Sequence, residues 1–530
     1  MGMCGIAVAF GWDQADATVR SLIGAILHRG DVTDPVFSIS PTIAMGTRRL
    51  RIVDGAHAMQ PQLSFDGRVA VSFNGEIYNH QALRAELEAL GVGFRTESDT
   101  EVLANALAAW GPKALARLNG MFAFVAIDIA SGEFLAARDP LGVKPLYLIQ
   151  SGSAFVFCSE IRPLLETVET GDVLLLPPGH LLTRDRCVQY KRVAADPQAP
   201  KRAHDPKALD ALLAAAVHRR LPPGLPVAAM FSGGIDSTLV VHYARQLRPA
   251  TPGYFLGGAS APDYVYAARY ADSSKLDLRH VALDGTTLTL ALIDQMVEMV
   301  ETFEPSVLRD SFCTALISAQ MSRDGYRVAL CGEGADELFA GYAPLEVAFD
   351  DSEMAGTFVR DQCLGGMHRT NLQRLDRTAM KVQLEAREPF LDTTVVEYAL
   401  SLPAGDHVQQ VGGQARGKAA LRSLYDLYPK QLPTYIRDRT KLPLNEGAGL
   451  DPAHNDSPWI TFANEIVTDA ALADGKARFP AFDLRTKEEL LYLDRLAMTL
   501  DVSRVPHLTA RARLQFPTVK NMELLRGYMM

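Results

Sequence analysis

"PVAAMFSGGIDSTLVVHYARQL", residues 226–247, decides how the second half of the chain folds. The apolar run Pro226–Phe231 predicts a short buried strand, Ser232–Ser237 a tight turn, and the stretch from Thr238 a helix. The same alternation continues through "GYFLGG" (253–258), "DYVYAARYAD" (263–272), "LRHVALD" (278–284) and "YRVALCGEG" (326–334). Strands alternating with helices imply an α/β, doubly wound parallel sheet. From about residue 350 the signals are mainly helical.

Glycines in such a turn let the backbone approach a phosphate, and the following helix supplies free N–H groups and a positive dipole end. Asp236 is out of place in a purely anionic site unless a divalent cation lies between it and the phosphate. Its plainer reading is a helix cap. A second acidic turn, "CGEGADELFAGY" (Cys331–Tyr342), again follows a strand and offers Glu333, Asp336 and Glu337. Ligands of open α/β sheets bind beyond the carboxyl ends of the strands, where both turns would lie. Asp236 and Asp336 could then share Mg2+, leaving Glu333 for chemistry.

The first half reads differently. "RVAVSFNGE" (68–76), "GMFAFVAID" (120–128) and "FLAARD" (134–139) are short apolar runs bounded by turns, which predicts antiparallel sheets. "HQALRAELEAL" (80–90) sets Leu83, Leu87 and Leu90 on one helical face. A Pro-, Ala- and charge-rich stretch, "VAADPQAPKRAHDPKA" (193–208), reads as a linker. The expected units are residues 4–190, a linker at 191–206, and residues 207–525.

Cys4 stands almost at the amino terminus, followed by the apolar run Ile6–Phe10. A thiol is a good nucleophile only as thiolate, so it needs a base. Were Cys4 residue one, its own α-amino group, with a pKa of about 8, could take the proton; Met1, Gly2 and Met3 must first be removed. The competing reading is a small core residue opening a strand.

Composition sets outer bounds. With 530 residues, 48% of them hydrophobic and 22% charged, the chain is long enough for two or three globular domains. The balance of 53 basic against 62 acidic residues, net −9, argues against nucleic acid as a partner. No apolar stretch approaches the roughly 18 residues that span a bilayer, and no signal peptide is evident, so no membrane association and a cytoplasmic location are expected. The six cysteines are scattered without a CxxC pair, which indicates neither a disulfide framework nor a zinc site.

Together, SGGIDS, CGEGADELFAGY, "EAREPFLD" (385–392), "GKAALR" (417–422) and "RTKLPLNEG" (439–447) resemble the synthetase domain of the glutamine-hydrolysing asparagine synthetase family, an ATP-pyrophosphatase type. "HRG" (28–30), "RRLRIVD" (48–54), "FNGEIYN" (73–79), "ESDTEV" (97–102) and "ARDPLGVKPLYL" (137–148) resemble that family's class II glutamine amidotransferase domain. The resemblance implies an α+β N-terminal-nucleophile fold, two stacked antiparallel sheets between helices, ahead of the α/β synthetase domain with its helical C-terminal part. It also implies glutamine hydrolysis at Cys4, channelled ammonia, and ATP with Mg2+ activating a carboxylic acid as its adenylate.

Carried over by position, glutamine would be bound by Arg49, Leu50, Arg51, Ile52 and Val53, with Arg49 on its α-carboxylate and Glu76 and Asp99 on its ammonium. Asn74 and Gly75 would stabilise the oxyanion; their plain alternative is an Asn-Gly hairpin turn. ATP would lie against Met230, Leu256, Cys331 and Gly332, with its phosphates on Ser232, Gly233, Gly234, Asp236 and Ser237. Asp236 and Asp336 would hold the metal, Glu333 would assist the adenylate chemistry, and Lys418 would neutralise pyrophosphate.

Arg309 would meet the acceptor, aspartate by first choice. Ser306-Val307 replaces the two threonines common in the family, which leaves another carboxylic acid open as acceptor. A β-lactam-synthetase-like cyclase fits less well, since Glu333 is retained and Cys4 would be superfluous. Two other classes remain: a tRNA-modifying pyrophosphatase and a non-catalytic glutamine or nucleotide sensor. Homodimers are common in the family.

Overall fold

The computed structural model describes residues 4–52, 58–196, 198–283, 288–440, 442–450 and 457–508. Cys4–Phe10 runs through the first sheet, antiparallel to Ile43–Arg49 on one side and Ala154–Cys158 on the other. Its alternation has a direct cause: Ile6, Val8 and Phe10 face a core shared with the second sheet, while Ala7 and Ala9 face the helix Ala15–Ala25. The second sheet is built on Val69–Ile77, Gly120–Asp128 and Phe134–Arg138. Its outer face, with Val71, Phe73, Phe122 and Phe124, packs against His80–Ala89 and Asp99–Trp110. This is the expected pair of stacked antiparallel sheets between helices.

The stretch before Pro206 lies against the second half, with Arg202 N donating to Ser401 O and His204 meeting Tyr398 and Ser423. Beyond it stands a five-stranded parallel sheet in the order Leu278–Val281, Gly253–Leu256, Val227–Met230, Val328–Leu330, Glu385–Arg387. The first four strands follow the expected alternation. The fifth sits inside EAREPFLD, too short and too charged to announce itself. The mainly helical tail also contains a hairpin, Val408–Val411 with Gln414–Gly417, turning at Gly412-Gly413. That glycine pair was the available signal.

The two halves share a core and buried charge. Ala7 and Ala9 of the first strand belong to one apolar cluster with Val300, Phe312, Trp459 and Leu493. Arg29, fully buried, bonds Asp376 at 2.9 and 3.1 Å and Glu160 at 2.9 Å. Arg377 joins the same Glu160 and Glu301. Asp31 accepts from Arg51 and from Arg327 of the parallel-sheet half.

Removing one member of a buried ion pair strands its partner, whereas removing both does not. Arg29→Met should lower stability by about 3 kcal/mol, and Arg29→Met with Asp376→Leu should recover most of it. Chemical denaturation of the three proteins checks this; equal loss in the single and double variants would contradict it.

Candidate active sites

Cys4 pairs with Arg49 across the first sheet and is wholly buried. Its backbone nitrogen donates to Asn74 Oδ1 at 3.0 Å, and Gln60 Nε2 lies 3.9 Å from the sulfur. Loss of water pushes the thiol up to about 12, against the pull of a Leu50 backbone hydrogen bond and the Arg49 charge. A thiol in this state attacks only if a base takes its proton.

Asn74 and Gly75 lie within Val69–Ile77, opposite Ala123 and Phe122, and so form no hairpin turn. Gly75 sits at φ +150°, where a Cβ would fall 2.0 Å from Met121 O; only glycine lets the two strands pair here. Among the described residues, none gives the buried Asn74 Nδ2 a hydrogen-bond partner. Leaving a buried donor unpaired costs about 1–3 kcal/mol, which suits a donor kept for a transient oxyanion.

Around this pair the expected glutamine residues divide. Arg49 gives two donors to Asp34, at 2.9 and 3.1 Å. Asp99 accepts from Ile77 N at 2.9 Å, and Ser98 caps its helix. The Glu76 carboxylate turns to Arg387 of the other half, at 2.8 Å. Arg51 is half exposed and pairs with Asp31, while Leu50 and Ile52 pack on Val227 and Val328 beneath the parallel sheet. Val53 lies outside the described residues. Gln60 and Asp34 escaped sequence reasoning, because nothing local marks them; both reach the site through folding alone.

At the carboxyl ends of the parallel strands a cleft brings together Met230, Ser232, Asp236, Ser237, Leu256, Cys331, Gly332, Glu333 and Asp336. Ile317, Leu444 and Ala448 complete its apolar wall. Ser232 and Ser237 close the turn on each other: Ser237 Oγ accepts from Ser232 N at 3.2 Å, and Ser232 Oγ from Gly234 N at 3.3 Å. The helix Ile235–Leu247 starts here, so its first N–H groups face outward unsatisfied by the helix itself. Gly234 lines the adjoining chamber, together with Lys418, Arg422, Arg439 and Glu346. Gly233 O accepts from Arg439 Nη1 at 3.0 Å.

Lys418 Nζ stands 2.5 Å from Asp236 Oδ2 and 2.6 Å from Asp336 Oδ1, which joins three expected residues at one point. Among the described residues, none hydrogen-bonds the buried Asp236 Oδ1. An orphaned carboxylate oxygen beside a second carboxylate fits a hard cation, and Mg2+ commonly takes only one or two carboxylates when phosphates supply the rest. Glu333 is held by Arg374 and by Asn371 Nδ2. Arg309 bonds Glu488, which also accepts from Tyr492 OH, and it lies outside the lining of the cleft.

Residues 3–174 match the glutamine amidotransferase domain family, and residues 208–356 and 346–503 match the asparagine synthase family. Over 518 residues the chain is 30% identical to asparagine synthetase [glutamine-hydrolyzing] 2 of Arabidopsis thaliana, covering 92% of this chain and 86% of that protein. The chain belongs to the glutamine-hydrolysing asparagine synthetase family. Form 3 from Arabidopsis thaliana is similar to the same extent, and the Triphysaria versicolor asparagine synthetase is 30% identical over 92% of this chain and 85% of its own length. In this asparagine synthetase family member, Arg422 and Arg439 sat inside recognised motifs without a role; only the fold shows that they share a chamber with Lys418.

Alkylation tests the state of Cys4. With residues 1–3 in place, its rate should rise about tenfold per pH unit between about pH 7 and 10 without a plateau, as the buried thiol demands. A chain trimmed to Cys4 should level off near the amine's pKa of about 8. Peptide mass mapping follows both, and an early plateau in the untrimmed chain would contradict the burial argument.

Proposed function

We propose that this protein is a glutamine-dependent, ATP-consuming amide synthetase that converts aspartate to asparagine, AMP and pyrophosphate. In the first half the Cys4 thiolate attacks the glutamine amide, the α-amino group of a trimmed Cys4 having taken the thiol proton. Asn74 Nδ2 and the Gly75 N–H receive the oxyanion; its collapse leaves a γ-glutamyl thioester and releases ammonia. Water then frees glutamate from the thioester.

In the second half the acceptor carboxylate attacks the α-phosphate of ATP, forming an acyl-adenylate and pyrophosphate. Ammonia from the first site attacks the acyl carbon, and AMP leaves. The apolar wall of Met230, Leu256, Ile317 and Ala448 suits a purine, and the turn at Ser232–Ser237 suits the phosphates. Mg2+, when bound at Asp236 and Asp336, would neutralise phosphate charge. Lys418, Arg422 and Arg439 oppose the charge that develops on pyrophosphate, and Glu333 faces the acyl centre.

The observation that carries this reading is the convergence of Asp236, Asp336 and Glu333 in one cleft with an apolar wall, with Lys418 reaching both aspartates from the adjoining chamber. The site at Cys4 lies across a buried contact from it. Glu76 bonds Arg387, and Arg387 O accepts from Cys331 N at 3.1 Å. On this reading ammonia made at Cys4 must cross that seam to reach the cleft.

A different acceptor acid is the second reading, and one observation favours it. Val307 is buried, with no hydroxyl to offer a ligand, and Arg309 is already joined to Glu488.

Incubation with glutamine, ATP and Mg2+ and a panel of carboxylic acids, followed by mass detection of AMP and amide, tests the proposal. Asparagine is expected from aspartate; AMP with another acid alone would select the second reading, and no AMP with any acid would sink both. Cys4→Ala should abolish glutamine use and spare synthesis from added ammonium. Asn74→Ala should slow glutamine hydrolysis about 100- to 1,000-fold, read as glutamate release.

A further inference from the structure

Cys4 is a buried thiol, so whatever hydrogen-bonds its sulfur decides how readily the thiolate forms. Gln60 Nε2 faces that sulfur at 3.9 Å. The residue is 2% exposed, and its side-chain oxygen is already committed: Oε1 accepts from Phe73 N at 2.7 Å and from Thr47 Oγ1 at 3.4 Å. Turning the amide over would set its N–H against the Phe73 N–H, two buried donors face to face. The orientation is therefore forced, and the amide presents a donor to the sulfur.

The anchors of Gln60 belong to the same site. Its backbone N donates to Asp34 Oδ2 at 3.1 Å, and that carboxylate also holds Arg49. Phe73 directly precedes Asn74 and Gly75 on Val69–Ile77, so Gln60 ties the sulfur to the strand that would receive the oxyanion. The charges around the sulfur largely cancel. Arg49 favours the thiolate and its partner Asp34 disfavours it, while Arg29, which donates to Cys4 O, is matched by Asp376 and Glu160. In that balanced field a neutral donor aimed at the sulfur has weight.

We propose that Gln60 is a catalytic residue of the glutaminase reaction, its Nε2–H hydrogen-bonding the Cys4 thiolate and aiming the sulfur at the amide carbon. This rests on the reading of Cys4 as the nucleophile. The base takes the thiol proton, a sulfur lone pair forms the C–S bond, and the C=O electrons move to the oxygen that Asn74 and Gly75 receive. Gln60 transfers no proton. Its hydrogen bond is strongest to the anionic sulfur and weakens in the uncharged thioester, so it favours the thiolate before attack and again as leaving group when water opens the thioester.

Alkylation of the full chain at about pH 9, where an ordinary thiol is ionised, reads the thiolate without turnover when Cys4 is followed by peptide mass mapping. Gln60→Met should slow alkylation of Cys4 about 10- to 100-fold, the worth of a hydrogen bond to a charged group. Gln60→Glu should slow it at least as much, because its carboxylate keeps the Phe73 and Thr47 contacts and turns a second oxygen toward the sulfur. In chain trimmed to Cys4, both should lower kcat for glutamate release with little change in KM. A purely structural Gln60 predicts the opposite: Glu near wild type, since it keeps the acceptor for Phe73 N, and Met alkylated faster through a loosened site. Either folded variant alkylated as fast as wild type would overturn the inference and leave Cys4 as the nucleophile, so each variant decides alone should the other fail to fold. Trimmed wild type that releases no glutamate, with slow alkylation in the variants, would overturn the glutaminase reading and the catalytic role but keep the hydrogen bond.

Discussion

A guanidinium keeps its charge inside a protein only where carboxylates and carbonyls replace the water it has lost. Arg387, 2% exposed, meets that demand from both halves of the chain at once. Its donors reach Glu385 at 2.5 Å, Glu76 at 2.8 Å and Arg220 O at 2.9 Å. Its own carbonyl accepts from Cys331 N, the residue that opens the acidic turn. Glu76 follows Asn74-Gly75 on the same strand, so one residue touches the neighbourhood of both candidate sites. If either half moved by an ångström or two, a buried charge would be left uncompensated. The seam at Arg29, Asp376, Glu160 and Arg377 repeats the constraint nearby.

What the sequence disclosed follows from how local each signal is. Strand, glycine turn and helix at 226–247 are neighbours in the chain, and their periods showed the parallel sheet without knowledge of distant contacts. The two stacked sheets were legible as alternating runs for the same reason. The strand Glu385–Arg387 was not, because its three residues are chosen for what they meet across the seam rather than for apolar pattern. The candidate sites divide likewise. Asp236, Asp336 and Lys418 belong to separate motifs, and their meeting within 2.6 Å depends on the fold. Glu76 was expected to face an ammonium group; the structure gives its carboxylate a guanidinium partner that only tertiary contact could reveal.

The two sites use burial in opposite ways. Around Cys4, burial works against charge: it raises the thiol. In the cleft beyond the parallel strands, charge is retained by pairing. Arg439 bonds Asp263, Arg374 bonds Glu333 and Asp310, and Lys418 bonds two aspartates. A cleft that is charge-compensated before any ligand arrives avoids the cost of isolated buried ions.

That compensation also shapes what binding can contribute. An incoming phosphate or carboxylate exchanges one anion for another around a cation already in place, so the net electrostatic gain is small, and geometry decides which anion stays. Arg422 is held differently. Its donors go to the carbonyls of Gly417 and Arg437, and burial with Arg416 nearby pulls it down to about 10, which leaves it cationic at neutral pH. Carbonyls satisfy its hydrogen bonds without neutralising it. In a chamber of exchanged partners, Arg422 is therefore suited to a multiply charged anion.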